Sequence, residues 1–319
     1  MQTRIDKMTA TSSVNDSQLI SIVMPTFQHG HCISRSIQSV LDQTYESWEL
    51  IIIDNYSVDN TSDIVLSFKD PRIKYLKFPN NGIIAASRNH GVLISKGDWI
   101  AFLDSDDWWE QSKLQVSMQF ANNKNADIIY HDLFLAKHPK QKFFPLKARG
   151  REINGSVFEN LLTHGNALFN SSVMVKKEML EKVGGISEEK SKVSWEDFDC
   201  WLKISRVTNK FFYLNIPLGY YWIGGGNTST PKVILENTSS IENSYQVFFA
   251  NSLHKPFWLG NGRGKAFLEL RMYDQAIAEF KSIDVRIMTY AEWLRFHFRI
   301  AQSYSMKYKE CALSFFKNV

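Results

Sequence analysis

The 319-residue sequence has few cysteines and no long apolar run, and both absences exclude classes of protein. The cysteines lie too far apart along the chain for a CxxC metal site or a disulfide framework, so we expect a reduced, cytoplasmic setting: Cys32, Cys200 and Cys311. The longest apolar runs, such as residues 50–53 and 99–103, are far shorter than the roughly 20 residues that cross a bilayer. The first residues contain no apolar stretch, so we expect no secretory signal.

Charge and histidine show no pattern that would identify a ligand. The 37 Lys and Arg residues against 33 Asp and Glu residues give a net charge of +4, which is too small to indicate nucleic acid. This charge is compatible with a peripheral position at the inner face of a membrane. The eight histidines lack metal-ligand spacing, and the sequence has no nucleophile elbow. We therefore expect neither a nucleic-acid partner nor a nucleophilic triad.

Strand and helix patterns alternate over the first hundred residues. Residues 1–18 are polar and aperiodic, so we predict a disordered lead. Short apolar runs typical of buried strands alternate with amphipathic helical patterns; the predicted strands are 19–24, 50–53, 73–78 and 99–103, and the predicted helices are 33–41, 61–68 and 84–95. This alternation predicts an α/β fold with a mostly parallel, Rossmann-like sheet flanked by helices. Ligands bind at the carboxyl ends of such strands, where Thr26, Asp54 and Asp104 lie.

The C-terminal part has a different sequence pattern: from about residue 232 the periodicity is helical and predicts no strands. Two segments repeat with an offset of 35 residues, in which Ala266, Tyr273, Ala276 and Phe280 match Ala301, Tyr308, Cys311 and Phe315. This spacing is similar to the second half of a tetratricopeptide repeat. A simple helical hairpin packed on the main domain is the alternative. We therefore predict a lead of residues 1–18, an α/β domain of residues 19–231 and a small all-α region of residues 232–319.

Four segments carry polar groups suited to chemistry, and the acidic segment of residues 104–107 (DSDD) is the sharpest. Carboxylates crowded at the end of a buried strand repel one another unless a cation joins them. Oxygen ligands of this kind suit Mg²⁺ or Mn²⁺ together with substrate phosphates. The alternative is a loop that caps the next helix, a role that Asp107 can take.

The second and third segments lie at neighbouring strand ends. Asp54 ends a buried strand and can accept hydrogen bonds from a base or a ribose, whereas Ser57 and Asp59 fit turn and cap positions. Gly82 precedes a helix and lets the backbone approach a phosphate, and Arg88 can balance a diphosphate or lie on the helix surface.

The fourth segment, residues 195–202 (WEDFDCWL), places acidic residues between tryptophans ahead of an apolar helix. This combination offers a proton acceptor beside a stacking platform. A helix N-terminus enriched in carboxylates, which the helix dipole favours, is the alternative.

Taken in order, these segments resemble the family 2 glycosyltransferases of the GT-A fold. The resemblance covers residues 19–225, about two-thirds of the chain, and rests on residues 21–27 (SIVMPTF), 51–57 (IIIDNYS), 81–89 (NGIIAASRN), 97–107 (GDWIAFLDSDD), 171–175 (SSVMV), 183–186 (VGGI) and 195–197 (WED). Each motif alone is weak, but the ordered set is specific to this family.

The resemblance implies a role for each matching residue. It places Asp197 as the general base with Glu196 beside it, and Asp104 and Asp106 as ligands of Mn²⁺ or Mg²⁺. It assigns nucleotide-sugar binding to Pro25, Thr26, Asp54, Asn81, Gly82, Arg88, Asp104 and Ser105. Trp195 and Asn166 are candidate acceptor contacts. One departure is clear, because residues 220–229 (YYWIGGGNTS) carry neither the histidine nor the basic residue that family members often have after the last strand.

The implied activity is inverting transfer of a sugar from a nucleotide-sugar, of which a UDP-sugar is the expected class, to a hydroxyl of a glycan or a lipid-linked glycan. The absence of membrane spans argues against a processive synthase. A non-catalytic scaffold is the alternative, with a protein partner or a second copy bound through the C-terminal helices. A third alternative is a nucleotidyltransferase that acts on sugar phosphates, which would have a similar sheet and a similar use of a metal ion. Residues 27–30 (FQHG), however, do not resemble the glycine-rich basic loop of such an enzyme.

Overall fold

The computed structural model describes residues 18–138, 140–225, 230–250, 255–283 and 285–317. The predicted disordered lead therefore lies outside the described residues, apart from Gln18. The chain divides into two compact units, of which the first comprises residues 1–158 and 166–226, and the second comprises residues 159–165 and 227–319. The second unit thus takes in a short segment that the sequence prediction left in the α/β domain.

Strands and helices of the first unit follow the predicted alternation over its first hundred residues. The strands are β1 (Ile20–Thr26), β2 (Trp48–Asp54), β3 (Ile73–Lys77), β4 (Trp99–Phe102), β5 (Trp108–Trp109), β6 (Ile128–Ala136), β7 (Lys147–Ala148), β8 (Met174–Lys176) and β9 (Phe211–Trp222). The helices are α1 (Ile33–Leu41), α2 (Thr61–Ser67), α3 (Ile84–Ile94), α4 (Lys113–Lys124), α5 (Val157–His164), which continues into the second unit, α6 (Lys177–Lys182) and α7 (Glu196–Ile204).

Within the described residues the strands form one mixed sheet, in the order β3-β2-β1-β4-β8-β6-β9-β5, with β7 paired to β6. The predicted parallel arrangement is confirmed for β3, β2, β1 and β4. Beyond β4 the sheet departs from the mostly parallel prediction, because β8 runs antiparallel to both β4 and β6, and β5 runs antiparallel to β9. The α/β class with flanking helices holds, and the sheet is mixed.

Apolar side chains of β1 and β2 form the centre of the first unit, and every residue of both strands is buried. Helix α1 covers one face of the sheet through Ile33, Ile37 and Val40, which are fully buried and fall on one helical face, as predicted. Thr26 and Asp54 lie side by side in the register of β1 and β2. The carboxyl ends of the parallel strands therefore meet at one edge, which carries the acidic turn after β4.

An unusual feature of this unit is the buried amine of Lys113 at the start of α4. The side chain is fully buried, its Nζ lies 3.9 Å from the centre of the Trp109 ring, and no described residue accepts a hydrogen bond from Nζ. Burial lowers the pKa of Lys113 to about 7. The nearby His131 is also fully buried; burial and then the Lys113 charge lower its pKa to about 3.

We expect Lys113→Met to raise the free energy of unfolding by about 2 kcal/mol at pH 7, because methionine keeps the contact with Trp109 without a buried amine. The folded pKa of Lys113 lies below its unfolded value, so the unfolded chain binds more protons between about pH 7 and 10. The advantage of the variant should therefore shrink as pH rises through that range. Urea unfolding at several pH values measures both effects. Lys124→Met, at an exposed position of the same helix, is the control. A variant that is less stable than the parent at pH 7 would contradict this account.

Helices make up the second unit: the end of α5, then α8 (Pro231–Ser244), α9 (Gln246–Ala250), α10 (Phe257–Glu269), α11 (Tyr273–Lys281) and α12 (Tyr290–Lys317). Phe257, Leu268, Ala276, Phe280 and Phe296 form its core. Ion pairs join Glu242 on α8, Arg263 on α10 and Glu279 on α11, with Lys255 bound to both glutamates. Among the described residues, none of the helices combines the length and apolar character needed to cross a bilayer.

The predicted repeat pattern falls on α10, α11 and α12. In its first copy Ala266, Ala276 and Phe280 are fully buried, as expected of packing positions. In its second copy Ala301 and Tyr308 are exposed, and the side chains at 311 and 315 lie outside the described part of the chain. The tetratricopeptide-like assignment of this region therefore stays a prediction.

Candidate active site

The acidic turn of residues 104–107 follows β4, and its backbone is held by the start of α1. Ser36 Oγ lies 2.8 Å from the carbonyl oxygen of Ser105 and 2.6 Å from that of Asp107. Arg35 Nη2 donates to the carbonyl of Asp106 at 3.0 Å. Because these bonds occupy the carbonyl groups, the shape of the turn is fixed by the backbone and its carboxylates are left for other partners.

The carboxylates of this turn repel one another. Burial and then the charge of Asp104 raise the pKa of Asp106 to about 6. Burial, and then the charges of Asp106 and Asp104, raise the pKa of Asp107 well above its usual range. Asp107 does not cap the next helix, because α4 begins at Lys113 and Asp107 Oδ1 instead accepts from the backbone N–H of Trp222 at 2.7 Å. The capping alternative is therefore wrong, and Asp107 fastens the acidic turn to the end of β9.

A buried arginine joins the acidic turn to the helix that carries the predicted base. Arg88 is 4% exposed; its Nη2 donates to Asp104 Oδ1 and its Nη1 donates to Glu196 Oε1, each at 2.8 Å. Burial alone would lower the pKa of Arg88, but the charges of Asp104 and Glu196 outweigh it and raise that pKa above its ordinary value. The sequence allowed two roles for Arg88, to balance a diphosphate or to lie on the helix surface. The structure places it in the interior, as a bridge between two carboxylates.

Glu196 and Asp197 occupy the first turn of α7, where the helix dipole favours negative charge. Asp197 Oδ1 accepts from the backbone N–H of Phe198 at 2.6 Å. Burial and then the charge of Glu196 raise the pKa of Asp197 to about 7, although Arg88 acts in the opposite direction. Glu196 Oε2 is buried and has no hydrogen-bond partner among the described residues. A carboxylate with a pKa near neutrality is suited to take up a proton.

These groups line one cavity of about 180 Å³, open to solvent, in the first unit. Its walls include the predicted Arg88, Asp104, Asn166, Glu196 and Asp197. The cavity also includes Tyr221, which the sequence analysis missed. Its phenol lies near Asp104, Asp106, Asp107 and Asp197, whose charges contribute, after burial, to raising the pKa of Tyr221. In the sequence, the only indication of this role for Tyr221 was its position in the aromatic stretch that ends β9.

The predicted nucleotide-side residues lie along the carboxyl edge of the sheet. Pro25 and Thr26 end β1, and the buried Thr26 Oγ1 lacks a hydrogen-bond partner within the described ranges. Asn81 and Gly82 are exposed before α3, with φ of 52° and 78°, a left-handed geometry that favours these residue types. Ser105 Oγ lies 2.7 Å from Nδ1 of His29. His29 is thus a second residue at this edge that the prediction did not include.

Asp54 is placed differently from its prediction. It is fully buried; Oδ1 accepts from the backbone N–H and the hydroxyl of Ser57, at 3.0 and 2.5 Å, and Oδ2 accepts from the Tyr75 hydroxyl at 2.5 Å. Asp54 therefore stabilises the turn after β2 and presents no exposed oxygen to a base. The turn roles of Ser57 and Asp59 are confirmed, since Asp59 Oδ1 accepts from the backbone N–H of Thr61 at 3.1 Å, at the start of α2.

Trp195 also differs from its prediction as an acceptor platform. It is 4% exposed, and its Nε1 donates to the carbonyl of Ser191 at 3.0 Å. The indole has no open face for a sugar, because its position just before α7 turns it into the interior. The stretch of residues 220–229, which lacks the histidine and the basic residue often found in the family, is described only through Gly225, and residues 226–229 lie outside the described residues.

The acidic turn fits a divalent cation by the chemistry of its donors. Asp104 and Asp106 supply hard carboxylate oxygens, and their repulsion, which raises the pKa of Asp106, is what a bound cation would relieve. No cluster of three or more His, Cys, Asp or Glu side chains suited to a metal occurs in the part of the chain that the structure describes.

Comparison with known families identifies the first unit. The sequence profile described as "Glycosyl transferase family 2" matches residues 21–184, just over half of the chain. The Escherichia coli protein "UDP-Glc:alpha-D-GlcNAc-diphosphoundecaprenol beta-1,3-glucosyltransferase WfgD" is 48% identical over 129 residues, which cover 38% of this chain and 51% of that protein. This chain thus spans about half the length of that relative.

Two further similarities extend over more of the chain. A second Escherichia coli relative, "UDP-Glc:alpha-D-GlcNAc-diphosphoundecaprenol beta-1,3-glucosyltransferase WfaP", is 28% identical over 217 residues, which cover 67% of this chain and 81% of that protein. A crystal structure of residues 1–349 of S. aureus TarS, in complex with UDP-GlcNAc, aligns with a TM-score of 0.56 and 15% identity over 90% of this chain and 88% of that one. At this identity the structural likeness shows the fold.

Proposed function

Because this chain belongs to glycosyl transferase family 2, we propose that it transfers a sugar from a UDP-sugar to a hydroxyl of a lipid-linked glycan, with inversion at the anomeric carbon. Its named relatives are glycosyltransferases, in agreement with this family membership. The observation that carries the proposed chemistry is one cavity lined by both Asp197 and Asp104, in which Arg88 bridges Asp104 to Glu196, the neighbour of Asp197. A base for the acceptor and a carboxylate for the donor side thereby share one site.

The proposed step is a single displacement. Asp197 takes the proton from the acceptor hydroxyl, whose oxygen forms a bond to the anomeric carbon while the bond from that carbon to the β-phosphate oxygen breaks. UDP leaves with the electron pair of the broken bond, and the configuration inverts because attack comes from the opposite face. The free Oε2 of Glu196 can accept a hydrogen bond from the acceptor and so orient it.

We propose Asp104 and Asp106 as the residues that hold Mn²⁺ or Mg²⁺. The cation would offset the negative charge that develops on the departing diphosphate. Tyr221 would donate its hydroxyl hydrogen toward the same group, since it lies among these carboxylates and lines the cavity. Arg88 keeps its charge in the interior and orients Asp104 and Glu196.

Glucose and a GlcNAc-diphospholipid are the first donor sugar and acceptor to test. Both come from the names of the two Escherichia coli relatives, which specify UDP-Glc and GlcNAc-diphosphoundecaprenol. We propose UDP-glucose as donor and a diphospholipid-linked GlcNAc as acceptor.

Calorimetric titration with UDP, GDP, TDP and CDP, each with and without Mn²⁺, tests the donor class. We expect UDP to bind most tightly of the four, and to bind more weakly when the cation is absent. Release of UDP from UDP-glucose, measured with a GlcNAc-diphospholipid, then tests transfer. Absence of binding to all four nucleotides by a folded sample would contradict the proposal, and equal binding of UDP with and without Mn²⁺ would contradict the metal role.

The Asp106→Asn variant tests the metal assignment directly. Because it removes one carboxylate ligand, we expect UDP affinity in Mn²⁺ to fall by at least about tenfold, the lower range seen when even an indirect metal partner is lost. Affinity in EDTA should stay unchanged. Asp98→Asn, an exposed carboxylate just before β4, is the matched control and should bind UDP as the parent does. An equal loss of affinity in EDTA would show that Asp106 acts without a cation.

A further inference from the structure

An exposed apolar stripe runs along α12 in the second unit. We define the aromatic stripe as the residues that recur at helical spacing on the outer face of this helix: Tyr290, Leu294, Phe298, Ala301 and Tyr308. Tyr290 is 77% exposed, Phe298 65% and Tyr308 69%. The opposite face of α12 packs into the core of the unit through Phe296 and Ile300. The helix therefore has an apolar face in the core and a second one at the surface.

Basic residues flank the aromatic stripe. Arg295 and Lys309 are exposed and each follows a stripe residue by one position, and the Arg299 guanidinium lies 6.0 Å from the Phe298 ring. Over residues 227–319 the sequence has 12 Lys and Arg against 8 Asp and Glu, a net charge of +4. That value equals the net charge of the whole chain, so the remainder is neutral. The net positive charge of this protein therefore lies in residues 227–319, the segment that carries the stripe.

We propose that the aromatic stripe is the contact surface for an anionic lipid membrane. Tyr, Trp and Phe favour the boundary between headgroups and acyl chains, where an aromatic ring is apolar and its polar edge stays hydrated. Lys and Arg beside such a face are drawn to anionic headgroups. Trp293, 42% exposed and stacked on Tyr290 at 6.3 Å, widens this face. An amphipathic helix with aromatic and basic residues together is the form that interfacial binding requires.

The same charges disfavour a second copy of this chain as the occupant. In a two-fold symmetric dimer the stripe would meet itself, and the flanking residues of both copies would face one another. Arg295 and Lys309 would then approach like charges, with Glu310 as the only acidic residue in the described part of α12 after Arg295. An anionic lipid surface neutralises these charges, whereas self-association brings them together.

Co-sedimentation of the full chain with vesicles tests the proposal. We expect binding to vesicles of phosphatidylglycerol and phosphatidylcholine, weaker binding at high ionic strength, and none to pure phosphatidylcholine. Replacing Phe298 and Tyr308 together by Glu should abolish binding. Replacing Arg295 and Lys309 by Gln should weaken it by about fivefold for each residue removed. Val247→Glu, at a 75% exposed apolar position on α9, is the matched control and should bind as the parent does.

Two results would overturn the proposal: no binding of the parent to anionic vesicles at low ionic strength, or equal binding by the parent and both double variants. Light scattering gives a third test, since a parent dimer that the Phe298 and Tyr308 variant converts to monomers would assign the stripe to a second copy. The Gln variant keeps the apolar side chains, so it remains informative if the Glu variant fails to fold. These vesicles contain no glycan acceptor, so the result is independent of the proposed transfer activity.

Discussion

The Asp197→Asn variant is expected to lose sugar transfer by about 10²- to 10⁴-fold while it keeps its affinity for UDP. Asparagine has nearly the shape of aspartate, so it preserves the hydrogen bond from the Phe198 N–H when its oxygen takes the place of Oδ1. It cannot accept a proton from the acceptor hydroxyl. The loss should therefore fall on kcat, with little change in the Kd for UDP.

The pH dependence of the parent enzyme follows from the same carboxylate. Burial and the Glu196 charge raise the pKa of Asp197 to about 7, so the residue is protonated and inactive as a base in more acidic solution. Activity should rise with pH, with its midpoint near pH 7, and reach a plateau at higher pH, where the carboxylate is fully ionised. Glu196→Gln removes one cause of the raised pKa, so the rising limb should move to lower pH in that variant.

Asp199→Asn is the matched control for the base assignment. Asp199 lies in the same first turn of α7 and is 2% exposed, but it pairs with Lys203 at 2.7 Å and does not line the cavity. Its replacement should lower stability and leave the position of the rising pH limb unchanged. Normal turnover by Asp197→Asn, or the same loss of activity in both variants, would contradict the role of Asp197.

The parallel half of the fold could be predicted from the sequence because three of its strands, β1, β2 and β4, are buried on both faces. Such strands read as continuous apolar runs, as residues 50–53 do, and each is followed by a helical pattern. The antiparallel strands β8 and β5 gave no comparable signal. Strand β8 has three residues and β5 has two, so pairing across the sheet, rather than local pattern, determines them.

In the site, too, residues that are adjacent in sequence could be predicted, whereas contacts between residues far apart in sequence could not. The acidic turn and the Glu196–Asp197 pair could be predicted because each is contiguous in sequence. The bridge from Arg88 to Glu196 spans 108 positions, so no local pattern shows that one guanidinium serves both Glu196 and Asp104. The buried role of Asp54 had a readable signal, since an Asp side chain commonly accepts a hydrogen bond from the backbone of the turn that follows it, as Asp54 does from Ser57.

Arg88→Met is expected to have the largest effect on stability of the changes considered. It leaves the carboxylates of Asp104 and Glu196 in a largely buried site without their cation, and loss of one partner from a buried ion pair costs about 3–5 kcal/mol. Transfer should fall together with stability, because Asp104 and Glu196 lose the group that orients them. Urea unfolding and the UDP-release assay measure the two effects.

A second arginine variant separates the loss of a buried ion pair from the loss of a partly exposed one. Arg72→Met is the matched control, since its ion pair with Asp70 is partly exposed and worth at most about 1 kcal/mol.

Arg88→Lys distinguishes the bridge from the charge alone. A lysine ammonium keeps the positive charge, but it cannot reproduce the planar fork whose separate nitrogens reach Asp104 and Glu196 at once. We expect this variant to recover part of the stability and little of the transfer activity. If Arg88→Lys restored full activity, the site would need only a positive charge here. If Arg88→Met were no less stable than Arg72→Met, the buried bridge would not be what joins the acidic turn to α7.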